Sequence, residues 1–214
     1  MSPVLARDGF TLLELLVVIA MVAILASLLL TGLRRSRQAA TRIQCQSNLR
    51  QAGVALLNHL GDHHKYPTTV VNGERGERWM DSLLKAGWSM KISGCPAHYS
   101  NRSYTYNGYG SAGFEHWPNL GLGGDTGSEP LGESEVVAPE DMIAIFDAAG
   151  GQNPPRMEYD YPGVPLPHSG SLNSLFCDGH VESIPGGHFA GARVSERRRW
   201  NYDHEEHPET WLSR

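Results

Sequence analysis

The hydrophobic pattern of the chain begins with one long apolar run from Phe10 to Leu33, in which Glu14 is the only charged residue. At a helical rise of about 1.5 Å per residue this run extends roughly 36 Å, enough to cross a bilayer core of about 30 Å. The run therefore predicts a membrane-spanning helix over residues 10–33.

A different pattern follows over residues 34–64, where apolar residues recur near helical spacing between Arg, Gln and Asn. This predicts that the membrane helix continues as an amphipathic stem. Gly61, with Pro67 shortly after it, marks the expected end of the stem. The predicted stripe consists of Ala39, Ile43, Leu49, Ala52, Leu56 and Leu60.

Residues 65–194 read as one exported globular head with short elements. Trp79–Trp88 predicts a short helix that ends at Gly87, and 103–110 and 142–147 predict strands. Asp178-Gly179 between two apolar runs predicts an antiparallel hairpin with a type I′ turn. The expected fold class is α+β, a long helix packed on a small, largely antiparallel sheet, with a loop at 111–139 and a polar tail at 195–214.

The segment before the span, residues 1–9, differs from a secretory signal, because the apolar core behind it is too long and the small residue Gly9 precedes that core. Glu14 is the costly residue, since a carboxylate at helix depth costs about 2.5 to 3.5 kcal/mol on insertion scales. Cleavage after Gly9 would create an amine on Phe10, one helical turn from Glu14 or beside the Glu14 of a neighbouring copy. Either pairing would offset the cost.

The run Gly9-Phe10-Thr11-Leu12-Leu13-Glu14 resembles the N-terminus of type IV pilins and of the pseudopilins of type II secretion systems. The resemblance implies cleavage after Gly9 by a prepilin peptidase, N-methylation of Phe10, and a role of Glu14 in recognition and assembly. It also implies a single-pass protein of the bacterial inner membrane with its head in the periplasm or outside the cell. The span lacks the proline of many pilins.

Nine residues separate His168 from Asp178-Gly179, a spacing that resembles the H-X9-DG signature of a group of bacterial pilin-like proteins. The same group is similar in four further blocks: 45–51 on the stem, Cys95-Pro96, 106–108 and 199–204. This resemblance implies no reaction. From strand length we expect His168 to lie far from the turn, as a hydrogen-bonded structural residue with Asp178 as a turn former; the alternative is a metal site with His180.

The net charge of the chain excludes one class of function. The net charge of −5 provides no basic surface for nucleic acid. Lys and Arg counts beside the span, with Arg34, Arg35 and Arg37 after it, would place the head in the cytoplasm, but we give the N-terminal motif precedence.

An exported domain with three cysteines favours one disulfide, for which we choose Cys45–Cys95, with Cys177 buried as a thiol.

No metal site is predicted from the cysteines, because no CxxC spacing occurs. A calcium ion bound by the acidic residues of the 111–139 loop is a weaker expectation, and a solvated loop is the default. No nucleophile with a base at recognisable spacing is present, so an enzyme is not expected. The loop carboxylates concerned are Asp125, Glu129, Glu133 and Glu135.

The sequence thus predicts a structural subunit that assembles with other pseudopilins and an inner-membrane platform through its N-terminal helix. The alternative is a membrane-tethered module outside the cytoplasm that binds a sugar or peptide, and a surface hydrolase is a third view. The aromatic residues proposed for the ligand-binding alternative are Tyr104, Tyr106, Tyr109 and Trp117.

Overall fold

The computed structural model describes residues 12–68, 79–97, 104–108, 120–123, 129–147, 167–168, 170–185 and 198–207. The chain divides into two units, Met1–Ala40 and Thr41–Arg214. The architecture is α+β and pilin-like, as predicted, with a long N-terminal helix and a four-stranded sheet. Its helices are α1 (Leu12–His63) and α2 (Trp79–Lys85), and its strands are β1 (Tyr104–Tyr106), β2 (Ile143–Asp147), β3 (Ser171–Phe176) and β4 (Val181–Pro185).

The described part of the first unit is helical from Leu12 to Ala40. Its large apolar side chains, from Leu12 to Leu33, keep between 44% and 88% of their surface exposed. Among the described residues, α1 is the one helix whose length and apolar composition suffice to cross a membrane. Nothing within the described chain covers this apolar surface.

In the second unit the stem part of α1, Thr41–His63, buries a single stripe. Leu49, Ala52, Leu56 and Leu60 are buried, as the spacing predicted. Ile43 was placed on the same stripe, and that placement is wrong: its side chain is 63% exposed. The stripe begins instead at Cys45, and two residues of helix turn a side chain about 200° away. Ala39, the first residue of the predicted stripe, is exposed too, so its placement was also wrong.

The stem ends at His63, close to the predicted bound of residue 64. Gly61 lies inside α1, and the helix continues to His63. His64 adopts the left-handed conformation with φ of 55°, and its N–H donates to the Leu60 carbonyl over 2.7 Å. His64 thus takes the helix-ending conformation that glycine usually supplies.

The sheet has the order β1-β2-β3-β4 with every neighbouring pair antiparallel. The strands predicted around 103–110 and 142–147 are present as β1 and β2, and the β3–β4 hairpin is confirmed. All five residues of β2 are buried, because β2 lies in the interior of the sheet and both of its faces are covered. The predicted short helix is α2, and Gly87, with φ of 103°, follows its end.

Successive β3 residues point to opposite faces, so the sheet has two apolar clusters. Leu175 packs in the cluster that contains the stem stripe, whereas Leu172 and Phe176 pack in a second cluster with Trp200. The Trp200 ring meets Phe146 edge to face, with centroids 5.1 Å apart. The described part of the predicted polar tail, residues 198–207, is therefore part of the head.

The hairpin turn differs in type from the prediction. The Gly179 N–H donates to the Phe176 carbonyl over 3.0 Å, and the Phe176 N–H donates to the His180 carbonyl over 2.9 Å. Gly179 has φ of 93°, whereas Asp178 is not in the positive-φ region that a type I′ turn needs at both central residues. The connection is a three-residue loop with glycine in the left-handed position, the other common hairpin geometry.

Candidate functional site

The residues expected to direct processing lie at the start of the chain. Gly9 and Phe10 fall outside the described residues, so their roles stay predictions. Glu14 lies in the first turn of α1 and is exposed. A carboxylate at this end of a helix interacts favourably with the helix dipole.

A second group of chemically active residues is buried where the stem meets the sheet. Cys45 comes from α1, Cys95 from the segment after the short helix Met90–Ile92, Asp147 from the end of β2, and His168 from the residues before β3. All four are buried, and their sulfur, nitrogen and carboxylate oxygen atoms lie within 4.8 Å of one another. We call these four residues the Cys-His-Asp cluster.

The contacts in the cluster converge on one carboxylate oxygen. Asp147 Oδ2 lies 2.9 Å from Cys45 Sγ and 3.0 Å from His168 Nε2. The same His168 Nε2 lies 3.2 Å from Cys95 Sγ. The cluster therefore joins two cysteine sulfurs, an imidazole and a carboxylate through direct contacts in the interior of the head.

Neighbouring polar groups hold the cluster in place. The Asn173 backbone N–H donates to Asp147 Oδ1 over 2.7 Å, and its side-chain amide donates to Oδ2 over 2.9 Å. Gln46 in turn donates to the Asn173 side-chain oxygen over 3.2 Å. The Tyr104 hydroxyl lies 3.3 Å from Cys45 Sγ. The orientation of Asp147 is thus fixed from both of its oxygens.

The surroundings shift the pKa values of the cluster in opposite directions. For His168, burial lowers the pKa, but hydrogen bonds with Asp147 and Cys95 outweigh burial and raise it to about 9. For Cys95, the hydrogen bond with Cys45 is the main cause that lowers its pKa to about 6, and His168 acts in the same direction. The pKa of Cys45 is raised far above its ordinary value, first by that same contact and then by burial. The cluster therefore favours a thiolate at Cys95 and a proton at His168.

A thiol, an imidazole and a carboxylate also make up cysteine-hydrolase triads, but this geometry is different. In a triad the imidazole uses one nitrogen for the nucleophile and the other for the carboxylate. Here the Nε2 atom of His168 contacts both Cys95 and Asp147. Cys95 is only 2% exposed, so a substrate could not reach its sulfur without opening the core.

The expected disulfide is not formed in the structure. Cys45, Cys95 and Cys177 are each unbridged. Cys45 and Cys95 do lie together, as the disulfide prediction required, but their sulfurs contact Asp147 and His168 instead of forming a bond. Cys177 is a buried thiol, as expected, and burial raises its pKa to about 12.

The two halves of the H-X9-DG signature occupy different places. His168 belongs to the Cys-His-Asp cluster, in line with the prediction of a buried, hydrogen-bonded residue. Asp178 accepts from the His180 backbone N–H over 3.0 Å and contacts its ring nitrogen at 2.6 Å, within the hairpin turn. A Cβ on Gly179 would lie 3.0 Å from Leu57 of the stem. The signature therefore combines a cluster residue with a turn that packs closely on α1.

Asp147 belongs to no recognisable sequence motif. The available signal was a carboxylate at the end of an apolar strand whose other residues are buried. The cysteines and His168 were identified, but their chain separation hid the fact that they meet. CxxC spacing detects only ligands that are close in the chain, whereas these four residues come from four separate segments.

Two other sets of predicted residues are partly described. Tyr104 and Tyr106 are buried and pack on Trp88 and Trp79, so they form core and not an exposed ligand platform. Tyr109 and Trp117 lie outside the described residues.

In the acidic loop, Asp125 also lies outside the described residues. Glu129 pairs with Lys65, Glu133 lies 4.0 Å from His64, and Glu135 accepts from the Gly132 N–H. Calcium binding by this loop stays a prediction.

Comparison with known proteins gives two family matches and one relative. Residues 6–30 match the prokaryotic N-terminal methylation motif, and residues 34–94 match a family described as protein of unknown function, DUF1559. The chain is 39% identical over 98 residues to the type II secretion system core protein G of Escherichia coli K12. This match covers 46% of the chain and 61% of the length of that protein. No solved structure matches.

Proposed function

We propose that this chain is a structural subunit of a type II secretion or type IV pilus-like machine in the bacterial envelope. Prepilin peptidase cleaves it between Gly9 and Phe10, Phe10 is methylated, and the mature chain assembles with other pseudopilins through α1. The head lies outside the cytoplasm. The methylation-motif match over residues 6–30 and the similarity to core protein G support this proposal.

The observation that carries the proposal is the apolar surface of α1 before the stem. Its large side chains are exposed on all sides, whereas soluble monomers rarely expose contiguous apolar patches above a few hundred Å². Burying such surface releases about 25 cal/mol per Å², so lipid or neighbouring helices are its natural environment. A carboxylate at membrane depth is costly, and in the assembled machine the amine of Phe10 on a neighbouring copy offsets the cost of Glu14.

A structural role also fits the chemistry of the head. The thiol, imidazole and carboxylate of the Cys-His-Asp cluster are buried, and their geometry is not that of a catalytic triad. Burial of Tyr104 and Tyr106 weighs against the alternative of a tethered sugar- or peptide-binding module built on these residues.

The test replaces Glu14 with leucine in the full-length chain, in cells that contain the peptidase and the assembly machinery. Because the leucine variant lacks the carboxylate that meets a neighbour's amine, we expect its assembled fraction to fall at least about tenfold, although membrane insertion becomes easier. Ser27→Leu is the matched control, since it adds the same side chain to an exposed position of the same helix. Cross-linking and sedimentation of membranes measure assembly.

Mass spectrometry of the mature N-terminus completes the test. The proposal requires a chain that begins with methylated Phe10. A chain that keeps Met1, or a Glu14→Leu variant that assembles as well as Ser27→Leu, would show that α1 is a simple anchor.

A further inference from the structure

The Cys-His-Asp cluster presents the donor atoms of a transition-metal site. Two cysteine sulfurs, one imidazole nitrogen and one carboxylate oxygen make four ligands, the number that structural zinc sites use. Zinc bonds of about 2.0 to 2.3 Å in a tetrahedron separate ligand atoms by roughly 3.3 to 3.8 Å. The contacts of 2.9 to 3.2 Å, within a group spanning at most 4.8 Å, leave these atoms close enough for one cation at a common point to bind all four.

Hydrogen bonds alone satisfy this arrangement poorly. His168 Nε2 carries at most one proton, yet it lies within 3.2 Å of both Cys95 Sγ and Asp147 Oδ2. Asp147 Oδ2 is approached at 3.0 Å or less by Cys45, His168 and the Asn173 amide. A cation at the common point would instead use the sulfur, nitrogen and oxygen lone pairs that now face one another.

The surroundings fit a bound metal as well. The two hydrogen bonds from Asn173 orient the Asp147 carboxylate, as outer partners of metal ligands commonly do. The Asp147 side chain is fully buried, and a buried carboxylate is costly unless a cation or hydrogen bonds offset its charge. Soft sulfur ligands favour zinc-like ions over calcium or magnesium.

From these observations we propose that Cys45, Cys95, Asp147 and His168 bind one divalent ion of the zinc type in a closed, structural site. The ion would join four separate segments and would tie the stem to the end of β2. This inference concerns the second unit alone and does not depend on the proposed assembly function.

The direct experiment uses the full-length chain purified in detergent under reducing conditions. We expect about one equivalent of zinc by elemental mass spectrometry, because a closed four-ligand site retains its metal through purification. Exchange with Co²⁺ should give the strong visible bands of tetrahedral cobalt together with a thiolate charge-transfer band. That spectrum would identify sulfur ligands without reference to any activity.

Variants then assign the ligands. Cys95→Ala and His168→Gln should each reduce the bound metal to less than about one tenth of the wild-type content. Cys177→Ala is the matched control, because Cys177 is also a buried thiol but lies outside the cluster. Asn173→Ala should keep the ligands and weaken zinc affinity by about 10- to 100-fold.

Because a ligand variant can also fail to fold, His168→Cys provides a second measurement. It keeps a metal-binding side chain at the position, so it should retain zinc and shift the cobalt charge-transfer band by adding a sulfur ligand. Three results would overturn the proposal: a folded, reduced wild-type chain that binds neither Zn²⁺ nor Co²⁺, a Cys45–Cys95 disulfide in the protein from cells, or equal metal content in Cys95→Ala and Cys177→Ala. None of these results would affect processing at Gly9 or assembly through Glu14.

Discussion

The two parts of helix α1 carry apolar side chains in different arrangements. From Leu12 to Leu33 the large apolar residues are exposed on all sides of the helix. From Cys45 to Leu60 one stripe is buried, and residues on the other faces, including Val54 and Leu57, stay exposed. One continuous helix therefore exposes its apolar residues on all sides in its first part and buries one apolar stripe in its second part.

The difference shows where each part finds its stabilising contacts. The stem stripe is covered by the chain's own sheet and by the residues around α2, which share one apolar cluster with it. The apolar surface before the stem has no such cover within the described residues, and under the proposed function its contacts come from a membrane or from other chains. The stem can thus be tested by the stability of the head, and the preceding part by assembly.

The largest expected difference in unfolding free energy is between two leucine-to-alanine substitutions, one in each part of α1. Leu56→Ala removes a fully buried side chain from the stripe and should lower the free energy of unfolding of the head by about 2 to 5 kcal/mol. Leu25→Ala, at a position 61% exposed, should leave the unfolding of the head nearly unchanged. Urea unfolding of the full-length chain in detergent, followed by the fluorescence of the buried tryptophans, measures both. Equal losses would mean that the stripe does not hold the stem to the sheet.

A second contrast lies within the stem, between two of its glycines. A Cβ on Gly53 would lie 2.8 Å from Leu175 Cδ1 and 3.2 Å from the Gly179 carbonyl oxygen, whereas a Cβ on Gly61 would meet nothing within 4 Å. Gly53→Ala should therefore destabilise the head by about 1 to 3 kcal/mol through overpacking. Gly61→Ala should stabilise it by about 0.5 to 1 kcal/mol, because alanine is the better helix former.

Gly53→Ala and Gly61→Ala are informative together because their stability changes are expected to have opposite signs. Both substitutions are glycine to alanine in one helix, so helix propensity contributes similarly to each. The difference reports how closely the Asp178-Gly179 turn approaches α1. If Gly53→Ala were stabilising as well, the turn would not pack on the stem in solution, and the close approach at Gly53 would be absent.

The features that the sequence predicted correctly are those that local patterns specify. The stem stripe follows from helical spacing, the β3–β4 hairpin from Asp178-Gly179, and the end of α2 from Gly87. An error arose where helical spacing alone placed Ile43 on the buried stripe, although its side chain is 63% exposed. Gly61 lies inside the helix, which ends at His63, and His64 takes the left-handed conformation.

The Cys-His-Asp cluster could not be predicted in this way. Cys45, Cys95, Asp147 and His168 are separated by tens of residues, and no periodicity connects them. Their meeting depends on how the stem packs against the ends of β2 and β3, which is a tertiary property. The disulfide hypothesis correctly placed two of the four residues side by side, but it did not consider what else lies beside them.

The smallest change in unfolding free energy is expected at the N-terminal edge of the stripe. This measurement shows where the contacts between the stem and the head begin. Ile43 is 63% exposed, although helical spacing in the sequence placed it with the buried residues. Ile43→Ala should therefore change the free energy of unfolding by no more than about 0.5 kcal/mol, as exposed substitutions usually do. Leu49→Ala, on the buried stripe, is the matched comparison and should cost about 2 to 5 kcal/mol. A loss above about 2 kcal/mol for Ile43→Ala in the same urea experiment would move the start of the packed stem toward the membrane, because Ile43 would then have to be covered by the head.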